Sequence, residues 1–156
     1  MTPRHVATLW SEWARSAETL LQVLARQERA LISRDTDQVQ ECLEQIESAR
    51  SKLQEKDEEA RSAIFALAQA VGSEPTLRDV ARKLPPSDAR LLSGFAGTAE
   101  RLADALRASF IRNHALIENE MAYVSGTLML IGQALREPST PYGKAPAGAL
   151  TLDRKV

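Results

Sequence analysis

The sequence predicts an all-α fold: an elongated antiparallel helical bundle or coiled coil of three long helices and one short helix. Three observations predict it. Ala, Leu, Arg, Glu and Lys, all strong helix formers, supply half of the 156 residues. Proline occurs only at 3, 75, 85, 86, 138, 141 and 146. Residues 4–74 and 87–137 are therefore free of the residue that costs a helix interior about 3 kcal/mol. In both stretches apolar residues recur in steps of four and three, the period of a helix with one buried face. Only 13 Val and Ile and seven aromatic residues are present, too few for a sandwich or barrel.

The first helix is expected to begin with Thr2 as N-cap and Pro3 at the first helical position. Its apolar row is Val6, Trp10, Trp13, Ala17, Leu20, Leu24 and Leu31, interrupted only by Gln27, with Leu9, Leu21 and Ile32 widening one side. Trp10 and Trp13 read first as core anchors, and second as an interface hot spot. Ser33–Gln38 then marks a tight turn, with Asp35 or Thr36 capping and Gln38 three residues after Asp35. The second helix, about 36–72, carries Val39, Leu43, Ile46, Leu53, Ala60, Ile64, Leu67 and Val71. Arg50 and Asp57 break this row, and polar residues in a seam fix register at a cost in packing. Gly72-Ser73 closes the helix, with Pro75 just beyond.

Thr76–Leu84 supports one short helix capped by Thr76 and Asp79 and ended by Pro85-Pro86. Ser87-Asp88 is expected to cap the last helix, which runs to about Arg136. Its row is Leu92, Phe95, Ala99, Leu102 and Leu106, then an inserted four-residue step, a stutter, to Phe110, Ile117, Met121, Val124, Leu128, Ile131 and Leu135. Gly94 and Gly97 lie inside this periodicity and are read as points of close helix approach, the alternative being local weakening. Residues 1–137 thus form the helical domain. Residues 138–156, with three prolines and few large side chains, form a flexible tail.

Composition limits function. Twenty basic and 21 acidic residues give a formal net charge of −1, against a polyanion binder. The single cysteine, Cys42, excludes an internal disulfide and fits a reducing compartment. The N-terminus has no signal-peptide core, and the longest uncharged run, Met121 to Leu135, falls short of the roughly 20 residues of a membrane span. A soluble, cytoplasmic protein is expected. His114 and Glu118 share a helix face but lack the second pair a di-iron site needs. No phosphate loop or Cys–His pair occurs. No enzymatic activity, metal or organic cofactor is expected.

The informative anomaly is the end of the last helix. From Leu116 to Leu135 two adjacent rows are largely apolar: Leu116, Tyr123, Thr127, Leu130 and Ala134 beside Ile117, Met121, Val124, Leu128, Ile131 and Leu135. A helix on one neighbour needs a stripe of about 100°, and this one is wider. It is either buried on several sides or a surface for another chain, and Met121 and Met129 suit a surface that adapts.

The element order, with Arg112-Asn113-His114-Ala115-Leu116-Ile117 opening an apolar helix and a short linker leading to Thr140-Pro-Tyr142-Gly, resembles the FlgN family of flagellar type III export chaperones. The resemblance implies a non-enzymatic chaperone. It would bind hook-associated proteins (FlgK- and FlgL-like clients) in the cytoplasm through their C-terminal helical segments. It would prevent their premature assembly and deliver them to the export gate. The resemblance further implies that the client-binding helix lies at about 113–137, with Asn113 opening it. Ile117, Met121, Val124, Leu128, Ile131 and Leu135 then provide its contacts, while Tyr142 docks on the export gate. The over-wide apolar face supports the binding helix independently. Two other classes remain: a structural coiled-coil subunit that self-associates without a client, and a helical ligand sensor with a closed pocket.

Overall fold

The computed structural model describes residues 1–136 as α1 (Pro3–Ser33), α2 (Thr36–Val71), α3 (Leu77–Arg82) and α4 (Pro86–Arg136), with no strand among the described residues. The all-α expectation holds. The tail expected over 138–156 lies outside the described residues. The chain forms two compact units, Met1–Asn119 and a second that begins at Glu120.

Local chemistry sets the helix ends. Thr2 Oγ1 accepts from the His5 N–H at 3.3 Å, with Pro3 leading the helix. Arg34 closes α1 in the left-handed region at φ 57°, and the Asp35 N–H reaches back to the Ala30 carbonyl at 2.9 Å. Asp35 then caps α2 by accepting from the Gln38 N–H at 3.1 Å. Only two residues separate 31- and 36-residue helices, so α1 and α2 fold back on each other. Thr76 caps α3 through the Asp79 N–H. The start of α4 differs from expectation: Pro86 takes the first helical position, the Ala89 N–H bonds to the Pro85 carbonyl, and Asp88 sits inside the first turn, where its charge favours the helix dipole.

Gly72 closes α2 at φ 66°, and a methyl group added to its Cα would meet nothing within 4 Å. Gly72→Ala is therefore a test of backbone strain alone, expected to cost about 1 kcal/mol in urea melts with an unchanged m-value.

In the Met1–Asn119 unit α1 runs antiparallel to α2. Glu12 meets Lys56 near one end, and Arg26 meets Glu41 and Gln45 near the other. It runs parallel to α4. Val6 and Ala7 share a core with Leu92 and Ala96, together with Ile64 and Leu67 of α2 and Leu77 and Val80 of α3. Further along, Trp13, Ala17, Leu20 and Leu24 share a second core with Leu106. Trp10 packs against both cores and lies 5.6 Å from Trp13, ring to ring. The pair anchors the core, as the plainer reading holds.

Two registers differ from expectation. In α2, Ile46, Leu53, Ala60 and Leu67 face inward, but at the upper end the flank is Cys42, fully buried, while Leu43 is exposed. Arg50 is exposed as well, and the polar residue in the seam is Lys56. Its ammonium lies 2.7 Å from Glu59 and 3.1 Å from Glu12, and these bonds, Glu59's first, hold its pKa above the ordinary lysine value, so it is charged at neutral pH. In α4 there is no stutter at Phe110, which is 40% exposed; the row continues from Leu106 through buried Ser109 and Asn113. Ile32 is exposed too. Gly94 and Gly97 are also exposed, and a methyl at either would meet nothing within 4 Å, so close helix approach is not their role.

Candidate functional site

Asn113 and the apolar face after it are the candidates the sequence offers, and the structure treats them differently. Asn113 is 2% exposed. Its Nδ2 donates to the Leu24 carbonyl at 2.9 Å and to Gln27 Oε1 at 2.8 Å. Gln27, 3% exposed, is the residue that interrupts the α1 row. Each helix carries one amide in its seam, and the two meet. Ser109 is buried one turn earlier, and outside the layer Arg112 Nε lies 3.4 Å from Glu28 Oε1. Both amide protons of Asn113 are spent on α1, whereas its Oδ1 has no hydrogen-bond partner. An amide buried at an interhelical seam holds one axial register, because a slip would strand its donors. Asn113 thus positions α4 on α1, and its side chain has no free surface to offer another molecule. Ile117, one turn later, is half-buried.

In the unit that begins at Glu120, the expected contact residues lie in the open. Met121, Val124, Leu128, Ile131 and Leu135 are 51–81% exposed, as are Tyr123, Met129 and Leu130 within that range. Met121, Val124, Leu128, Ile131 and Leu135 follow each other in steps of three and four and form one stripe on the helix. No charged residue occurs from Met121 to Leu135. Thr127 Oγ1 donates to the Tyr123 carbonyl at 3.0 Å, which satisfies its hydroxyl within the helix. Uncharged apolar helix left facing water is the usual mark of an interaction surface. These five residues are exposed in the chain and are not part of its core. Tyr142 lies outside the described residues.

Other arrangements carry less chemistry. An open groove of about 710 Å³ in the Met1–Asn119 unit is lined by Trp10, Trp13 and Ile64. Its rim charges neutralise one another as Arg61–Asp57, Arg78–Glu100 and Arg82–Asp79 pairs at 2.6–2.8 Å. It is not the closed pocket with converging free polar groups that a small-molecule sensor requires. His114 Nδ1 sits 3.5 Å from Glu118 Oε2 on an exposed face. Among the described residues no three His, Cys, Asp or Glu side chains gather as a metal site, and no helix is long and apolar enough to cross a membrane.

The model of the FlgN protein family matches residues 4–147, nearly the whole chain. No curated protein and no solved structure matches it.

Proposed function

The chain belongs to the FlgN family of flagellar export chaperones, and from that premise we propose that it holds hook-associated proteins in the cytoplasm through the exposed stripe Met121–Leu135. The observation that carries the reading is that stripe: five large apolar side chains at helical spacing, facing water, on a stretch of α4 that has no charge from Met121 to Leu135. Secreted subunits whose ends are unfolded before assembly can bind by forming a helix whose anchors at i, i+3, i+4 and i+7 meet such a stripe. Each fully covered Leu, Ile, Val or Met contributes about 1.5–3 kcal/mol, so a few anchors suffice to offset the ordering of the client segment. The clients are FlgK- and FlgL-like subunits, bound through their C-terminal helical segments. Binding masks the segments that would otherwise assemble prematurely. Asn113 and Ile117 contribute by fixing the start of the segment.

Delivery is assigned to the tail, with Tyr142 docking on a component of the export gate. Truncation after Glu137 is expected to shift the melting temperature by less than about 2 °C, because three prolines and few large side chains leave little to bury. Tyr142→Ala is expected to leave client affinity unchanged in calorimetry while lowering client export in cells. A Tyr142→Ala protein that loses its client would show that the stripe and the tail do not divide the work this way.

A further inference from the structure

α3 carries two arginines one turn apart, Arg78 and Arg82, which share a face of the helix. They stand between two depressions of the Met1–Asn119 unit. On one side lies the groove lined by Trp10 and Trp13. On the other lies a depression of about 380 Å³, lined by Ala81, Ala89 and Ser93 besides the same two arginines. No acidic side chain lines this second depression, so its wall is positive. The ion pairs beside the first are lopsided in exposure. Asp79 has both oxygens occupied, Oδ1 by Arg82 at 2.8 Å and Oδ2 by the Thr76 hydroxyl at 2.7 Å, and its side chain is 36% exposed against 76% for Arg82. Arg61 and Asp57 repeat the pattern at 75% and 32%. Only Glu100 is as exposed as its partner, Arg78. Each guanidinium spends one N–H on its carboxylate and keeps the rest of its five donors. Trp10 Nε1 adds a donor that is buried and has no acceptor. Tryptophan and arginine together are also the side chains enriched where proteins meet.

We propose that the face around α3 docks an acidic segment of a partner protein, with carboxylates on Arg78 and Arg82 and a large apolar side chain in the Trp10–Trp13 groove. A guanidinium can hold a carboxylate through two parallel N–H···O bonds, and two guanidiniums one turn apart favour a segment with more than one acid. Ala96, Ala99 and Ala103 form the α4 wall of the groove, and their small side chains leave room for the apolar anchor. The contact is short, well under the ~1,200 Å² typical of stable complexes, so a single segment binds with a dissociation constant of roughly 0.1–1 mM. The site belongs to the Met1–Asn119 unit, shares no residue with the Met121–Leu135 stripe, and does not rest on the client assignment.

The test follows the intrinsic fluorescence of the full chain, whose only tryptophans are Trp10 and Trp13, while a capped hexapeptide of alternating Glu and Leu is added. A saturable change is expected, and the same peptide with Lys in place of Glu should bind at least about tenfold more weakly. Arg78→Glu/Arg82→Glu is expected to weaken the Glu peptide about tenfold or more and to reverse the preference in favour of the Lys peptide. Both side chains are well exposed, so circular dichroism should not change. Arg78→Gln/Arg82→Gln removes the charge without adding repulsion and should weaken the Glu peptide about three- to tenfold. Leu128→Asp should leave the titration unchanged. No fluorescence change up to about 5 mM peptide overturns the proposal, as does equal binding of the Lys peptide or indifference to both arginine pairs. Loss of peptide binding in Leu128→Asp overturns it as well, since the peptide would then sit on the stripe.

Discussion

Leu128→Asp and Ile131→Asp are expected to lower client affinity at least about tenfold (~1.4 kcal/mol), and up to 2–4 kcal/mol where the anchor is central. Both side chains are more than half exposed, so a carboxylate there stays in water in the free protein and the helix content and melting temperature should hold. In the complex the same carboxylate would be trapped against the apolar face of the client helix without a partner, and the cost falls on the bound state alone. Calorimetry with the C-terminal segment of a hook-associated protein, run beside circular dichroism, separates the two states. Glu47→Lys on the exposed side of α2 serves as control and should change neither. If either stripe variant unfolds, these residues stabilise the fold. If both bind as well as the wild type, the client docks elsewhere.

The second large effect concerns the buried amide layer. Asn113→Ala is expected to destabilise the fold by roughly 2–3 kcal/mol, since it removes both donors from the Leu24 carbonyl and Gln27 and leaves the Gln27 amide buried without its partner. Gln27→Ala should cost a similar amount for the converse reason. The pair Gln27→Leu/Asn113→Leu removes both side-chain amides of the layer, including the Asn113 oxygen that already lacks a partner. It should therefore be more stable than the sum of the two Leu singles predicts, with a coupling of about 1–2 kcal/mol. What the double variant gives up is registry: with an all-apolar layer α4 can settle against α1 at more than one height. Urea melts of the four proteins measure the coupling, and coupling near zero would mean that the two amides act independently.

Helix number, order and most ends are legible in the sequence because they rest on local chemistry. Thr2-Pro3, Asp35 with Gln38, Gly72 and Thr76 with Asp79 each satisfy backbone groups within a turn, and nothing distant overrides them. The registers are less legible because they depend on partners. In α2 two overlapping rows share Ile46, Leu53, Ala60 and Leu67, and choosing Leu43 over Cys42 as flank follows hydrophobicity, whereas the structure buries the smaller Cys42 and leaves Leu43 exposed. In α4 the stutter expected at Phe110 follows from placing Ser109 and Asn113 on the outer face. Only the knowledge that Gln27 waits opposite makes a buried asparagine cheaper than a buried phenylalanine. Gln27 interrupting an otherwise apolar row is the one signal of this in the sequence. The exposed stripe is visible there as an excess of apolar surface, and its openness to water needs the structure.

The two-residue connection between α1 and α2 also bears on how quickly the chain reaches its fold. Contacts such as Arg26 to Gln45 join residues 19 apart, whereas Asn113 reaches Gln27 and Leu24 across separations of 86 and 89. Closing the short loop costs far less chain entropy than closing the long one, so the α1–α2 hairpin should assemble first and α4 dock onto it afterwards. On the ribosome the hairpin is complete before α4 has been made. Substitutions in the hairpin contacts should then slow refolding, while those at Asn113 should mainly accelerate unfolding, a division that the two arms of a chevron plot would display.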